Sequence, residues 1–139
     1  MSEDWREAEA AQWAALRQEW MAQYRAVPAA DFARLAGCPV TNATSLLEAW
    51  EAAHRVFAIG EGPERLYPLL QFELNGQPRP EFEPLLTAVR GRMDGWQLAT
   101  WLTRPCAEFP NWETPEAMIG QDPQAVVRAA ERELGELPY

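Results

Sequence analysis

Between its prolines and glycines this chain repeats large apolar residues every three or four positions, which restricts most of it to short α-helices. Phe82, Leu85, Leu86, Val89 and Met93 follow the spacing of one helical face, predicting a helix over residues 81–92. Trp96, Leu98, Trp101 and Leu102 carry a second helix over 95–102. Thr114-Pro115 and Asp122-Pro123 each put a capping side chain before a proline, the residue best suited to a first helical position. Two more helices open there, one stopped by Gly120 and the last carrying Val126, Val127, Ala130 and Leu134.

The N-terminal half obeys the same rule. Trp13, Leu16, Trp20, Tyr24 and Val27 predict a helix from Ser2 to Ala26, ended by Pro28. Such a face either packs on a core or, with Trp5 added, mediates self-association. Ala29 to Ala36 forms a short helix, Gly37 supplies its left-handed end, and a turn leads into another helix from Asn42 to His54. That outline is helix-turn-helix-like. After Arg55 the period shortens. Val56 to Ile59 and Leu66 to Leu74, separated by Gly60-Glu61-Gly62-Pro63, predict a small two-stranded hairpin.

The expected fold is therefore mainly α. Residues 1–28 form an amphipathic helix, 29–60 a helix-turn-helix-like module, 61–80 the hairpin and connector, and 81–139 a helical partner-binding domain.

Charge narrows the function. Twenty-one acidic residues against 12 basic ones give a net charge of -9, and every basic residue is Arg. Such a surface repels phosphate backbones. The helix after Gly37 offers Thr41, Asn42, Thr44 and Ser45 as candidate DNA-facing groups. Yet no Arg occurs from 37 to 54, and Glu48 and Glu51 lie on that helix, so DNA is a disfavoured partner. Cys38 and Cys106 stand apart with no CxxC or histidine company, which reads as free thiols and no zinc site. An acidic N-terminus and the absence of an apolar run of about 20 residues predict a cytoplasmic protein with no membrane span.

Catalytic chemistry finds little support. The single histidine, His54, closes a helix, where its ring interacts favourably with the carbonyl end. Nucleophile elbow, phosphate-binding loop and HExxH are all missing, and pairs such as Glu81 and Glu83 read as solvated carboxylates. No enzyme activity, cofactor or metal is expected. In contrast, residues 104–112 form a long irregular loop with two prolines, two aromatic groups, an Arg and no Lys, a composition that interface cores favour.

Several motifs together resemble one family. Arg55-Val56-Phe57-Ala58-Ile59, Arg65-Leu66-Tyr67-Pro68-Leu69-Leu70-Gln71-Phe72 and Gly76-Gln77-Pro78 are similar to the "LLAV … RYPAFQF … GRP" stretch of Xre/MbcA/ParS-type antitoxins. Gly95 to Thr103, Pro105, Thr114-Pro115 and Asp122 to Ala130 resemble the remainder, "WQLAxWLxxPNPxLGGxTPxxLL…DPxxVxxAA". Where that pattern has Gly-Gly before its Thr-Pro, this chain has Asn111-Trp112-Glu113 in a loop about one residue longer. The resemblance spans about residues 30 to 132 and excludes the N-terminal helix.

It implies an antitoxin whose C-terminal part covers the active-site entrance of a RES-domain toxin that degrades NAD⁺. A homodimer and a hetero-complex with the toxin are the assemblies it suggests, and many members also repress their own operator. The toxin-facing candidates carried over are Trp101, Pro105, Thr114 and Pro115, with Trp112 added from its loop. Glu131, Glu133, Glu136 and the Tyr139 carboxylate are further candidates on charge, since an NAD⁺ pocket is lined by cations. The alternatives are a repressor whose DNA face is assembled in an oligomer, and an orphan interaction protein with no toxin.

Overall fold

The computed structural model describes residues 2–60 and 65–135. Seven α-helices dominate them: α1 (Ser2–Gln23), α2 (Ala29–Ala36), α3 (Val40–Ala52), α4 (Phe82–Val89), α5 (Gly95–Leu102), α6 (Pro115–Ile119) and α7 (Pro123–Gly135). Two short strands, β1 (Ala26–Val27) and β2 (Tyr67–Pro68), pair antiparallel, and one turn of 3-10 helix follows at Leu69–Gln71. The chain is mainly α with a small two-stranded antiparallel sheet, as its periodicity predicts.

The termini of these helices follow from their sequence. Gly37 has φ 72 and its backbone N–H closes the end of α2, a conformation open to glycine without strain. Asp94 accepts from the Gln97 N–H at 2.8 Å while the Gln97 side chain accepts from the Asp94 N–H at 2.8 Å, a reciprocal cap that starts α5. Thr114 caps α6 through the Ala117 N–H at 3.2 Å, and Asp122 caps α7 through the Ala125 N–H at 3.2 Å.

Two hydrophobic cores are built. The smaller gathers Phe32, Ala33, Ala43, Leu47 and Trp50 from α2 and α3 with Val27, Val56 and Tyr67. The larger packs α4 to α7 around Phe82, Leu85, Leu102, Ile119 and Val126, all fully buried, and takes in Trp20 from α1. Extended segments stitch the two together by alternation, because successive side chains of a strand point to opposite faces. Ala26 enters the larger core and Val27 the smaller; Val56 enters the smaller and Phe57 the larger.

Gln71 sits at this seam, fully buried. Its amide nitrogen donates to the Phe57 and Pro68 carbonyls at 2.9 Å each, and its oxygen accepts from the Phe57 N–H at 2.7 Å. One side chain thereby satisfies three main-chain groups that water cannot reach.

The structure departs from the sequence expectation in two places. The segments at Val56–Ile59 and Leu66–Leu74 meet only at a single bridge, with Ile59 and Leu66 exchanging two hydrogen bonds of 2.8 Å. The true partner of Tyr67–Pro68 is Ala26–Val27. Val27 precedes Pro28, which disfavours the helical region for it, and with α1 ending at Gln23 the segment Ala26–Val27 is extended and free to pair.

The second departure concerns α1. Of its apolar face only Trp20 is buried, with Met21 and the following Tyr24 partly so; Trp5, Trp13 and Leu16 are 57%, 53% and 46% exposed. Its end is anchored by Trp20, whose indole N–H donates to the Thr103 hydroxyl at 2.9 Å and whose ring meets Trp96 edge-on at 5.8 Å. The rest of α1 does not pack on a core of its own chain. No helix among the described residues is long and apolar enough to cross a membrane.

Candidate partner-binding surface

The loop joining α5 to α6 is where the C-terminal half shows its least ordinary backbone. It leaves α5 at Thr103 and is fixed from beneath by Phe109, 6% exposed in the larger core. Its sides are held to α7 by two ion pairs, Arg104 to Glu133 at 2.7 Å and Arg132 to Glu108 at 2.7 Å. Exposed pairs of this kind contribute at most about 1 kcal/mol each, but two of them crossing the same gap fix the loop's direction. Cys106 N–H donates to the Glu113 carbonyl at 3.1 Å, closing the loop at its neck.

At the tip, Pro110–Trp112 turns sharply. Asn111 has φ 59 and Trp112 φ 56, two consecutive residues in the left-handed region. Asn tolerates that region through its short polar side chain, whereas Trp does so at a cost of about 1–2 kcal/mol. The Trp112 side chain, 65% exposed, recovers little of that by burial. A large aromatic group is thus held out into solvent on a strained backbone, an arrangement associated with binding loops. Replacing Trp112 with Gly is expected to raise thermal stability by about 1 kcal/mol, since glycine adopts this backbone freely. A destabilised Trp112→Gly protein in a calorimetric melt would show that the indole is a structural element instead.

The sequence-predicted contact residues divide by environment. Trp101, Pro105 and Glu133 are brought together around one cleft of about 310 Å³, shared with Arg104, Glu108 and Arg132. Pro105 is exposed on its rim, while Trp101 is 5% exposed and forms its floor. Pro115 is fully buried, and Thr114 is half-buried with its hydroxyl spent on the α6 cap. Trp101 and Pro115 are thus buried, Trp101 at the base of the cleft and Pro115 at the start of α6. Glu131 is exposed on α7 and Glu133 is half-buried in its pair with Arg104; Glu136 and Tyr139 lie outside the described residues. Among these residues and the loop prolines, Pro105, Pro110, Trp112 and Glu131 are exposed.

The α2–α3 module presents a different surface. Thr41, Asn42 and Ser45 are exposed, but Thr44 is half-buried and its hydroxyl donates back to the Val40 carbonyl at 3.0 Å. Glu48 is exposed on the same helix. The nearest cations are engaged elsewhere: Arg34 pairs with Asp31, Arg65 with Glu51, and Arg55 lies 5.9 Å from the Trp50 ring. His54 adopts φ 58 past the end of α3, and its Nε2 accepts from Arg90 at 3.2 Å.

Sequence reasoning missed the two ion pairs that pin the loop, because Arg104 and Glu133 are 29 residues apart and nothing in their spacing links them. It also missed the left-handed pair at Asn111 and Trp112, for which a bulky aromatic gives no forewarning. Comparison with protein-family models, curated proteins and solved structures finds no match to this chain.

Proposed function

We propose that the chain is an antitoxin or antitoxin-like protein that binds and neutralises a RES-type, NAD⁺-degrading toxin in the cytoplasm by covering its active site. It acts by binding and not by catalysis, and needs no cofactor. The observation that carries the reading is the tip of the α5–α6 loop. The antitoxin pattern that this sequence resembles has Gly-Gly before its Thr-Pro, and Asn111 and Trp112 occupy those positions here. Both keep the positive φ that glycine adopts freely. A loop shape suited to glycine, carrying an exposed indole in its place, supports a contact tuned to one partner. Tryptophan is among the residues that most often dominate interface energies.

The test is capture of a tagged full-length chain from its host, with mass spectrometry and sizing of what it holds. One stoichiometric partner that consumes NAD⁺ when freed is the expected result. Recovery of the chain alone would remove the reading.

A repressor that binds DNA through α3 is the second reading, favoured by the exposed Thr41, Asn42 and Ser45 at the start of a helix that follows a turn. The engaged cations around it and Glu48 beside it oppose phosphate contact. A gel shift on the DNA upstream of its gene is expected to be negative. A shift whose affinity falls steeply with salt would move the weight to the repressor.

A further inference from the structure

Helix α1 is longer than any other in the chain's described residues, and residues 4–19 are exposed throughout. Most helical stability in proteins comes from packing one face against a neighbour. Its own chain covers only the last turns around Trp20. Residues 5, 9, 13, 16 and 20 lie along one stripe at helical spacing, which reads Trp5, Glu9, Trp13, Leu16, Trp20. The stripe borders a groove of about 910 Å³ whose opposite wall is α5, with Trp96, Thr100 and Thr103. The groove is open to solvent between α1 and α5.

The charges on α1 select its occupant. Glu9 stands in the middle of an apolar stripe, an isolated carboxylate between two tryptophans. Arg17 flanks the stripe one turn beyond Trp13, with its guanidinium 5.4 Å from the Trp96 ring. Among the described residues neither Glu9 nor Arg17 makes an ion pair within its own chain. A parallel pair of α1 helices would set Glu9 against Glu9 in the seam. An antiparallel pair crossing at Trp13 sets position 9 of one helix opposite position 17 of the other, because the two numbers lie equally far on either side of 13. Each Glu9 then meets an Arg17, twice by symmetry. The same crossing lays Trp5 of one copy against the buried end of α1 in the other.

We propose that α1 is a dimerisation helix, in which two copies pair antiparallel through Trp5, Trp13 and Leu16 with reciprocal Glu9–Arg17 ion pairs. The seam takes a second copy because position 9 of one helix then meets position 17 of the other, carboxylate against guanidinium.

Sedimentation equilibrium of the full chain tests this. A species of twice the 15.8 kDa chain mass is expected at about 100 µM. Trp13→Glu is expected to weaken the dimer at least about a hundredfold, by placing a charge in the seam. Glu9→Arg and Arg17→Glu are each expected to weaken it about tenfold, since each replaces two attractions with two repulsions. The double variant is expected to return to within about threefold of the parent. All three substituted positions are exposed, so unchanged thermal melts of the α2–α7 body accompany them. A parent chain that stays monomeric at that concentration overturns the proposal. Failure of the double variant to recover overturns the antiparallel register.

Discussion

Gln71→Leu is expected to destabilise the protein by roughly 3 kcal/mol or more, although leucine fills nearly the same volume. The substitution leaves the Phe57 N–H, the Phe57 carbonyl and the Pro68 carbonyl without partners in a fully buried site. Each unsatisfied buried group costs about 1–3 kcal/mol, while the gain from a more apolar side chain offsets only part of that. Gln71→Glu should be at least as damaging, since a carboxylate keeps the acceptor but brings charge against two carbonyl oxygens. Chemical denaturation followed by tryptophan fluorescence measures both. Because Phe57 belongs to the larger core and Pro68 to the strand beside the smaller one, loss of Gln71 should also separate the unfolding of the two cores. A single transition with the parent's midpoint would show that the seam is held by packing alone.

The second large effect is at Gly95. A Cβ built there lies 1.9 Å from the Ala58 carbonyl oxygen and 2.9 Å from its carbon. Both are main-chain atoms, and the segment that carries them is bridged to Leu66 and bonded by Gln71. Neither side of the contact can yield without moving the start of α5 or the seam between the cores. Gly95→Ala is expected to cost about 3 kcal/mol or more, at the upper end for a single added methyl in a packed interior. Gly135→Ala is the control. It lies within the last turn of α7 with no atom within 4 Å of a built Cβ, and alanine favours helix, so stability should hold or rise slightly. Melting temperatures of the two variants side by side check the claim. Equal values would mean that the approach of α5 to Ala58 is looser than its geometry.

These two residues show where the sequence speaks and where it is silent. Gly95 and the Asp94–Gln97 cap around it are local features, so the start of α5 is legible from Asp94-Gly95-Trp96-Gln97 alone. The caps of α6 and α7 are legible for the same reason. That Gly95 also makes room for Ala58 is not, because the contact joins segments 37 residues apart by subtraction of their numbers. The burial of Gln71 carries no local signal: it falls within the segment read as a strand, and only the fold brings the Phe57 and Pro68 main chain around its amide. The pairing of Tyr67 with Val27 is hidden similarly, although Val27-Pro28 already forbids the helix to continue.

The candidate surface divides along the same line. Leu98, Trp101 and Leu102 share one helical face, and that spacing alone assigns Trp101 to the core. The resemblance drew attention to the indole as a contact group, and periodicity accounts for its burial. Trp5, Trp13 and Leu16 show the reverse case, a regular apolar face that its own chain leaves uncovered. Periodicity reports that a face must be covered and is silent on which molecule covers it. Trp112 was visible only as a member of an aromatic loop, while the left-handed backbone that presents it emerges from the fold.

The most direct test of the antitoxin reading is an NAD⁺-consumption assay on the captured partner, titrated with the parent chain and with Trp112→Gly. The account predicts that the parent chain abolishes NAD⁺ loss at stoichiometric ratio. Trp112→Gly, folded and no less stable, should need at least about thirtyfold more protein, the loss of one central aromatic contact of about 2 kcal/mol. A partner that consumes no NAD⁺, or one inhibited equally by both proteins, would contradict it: the first outcome removes the toxin, the second removes the loop.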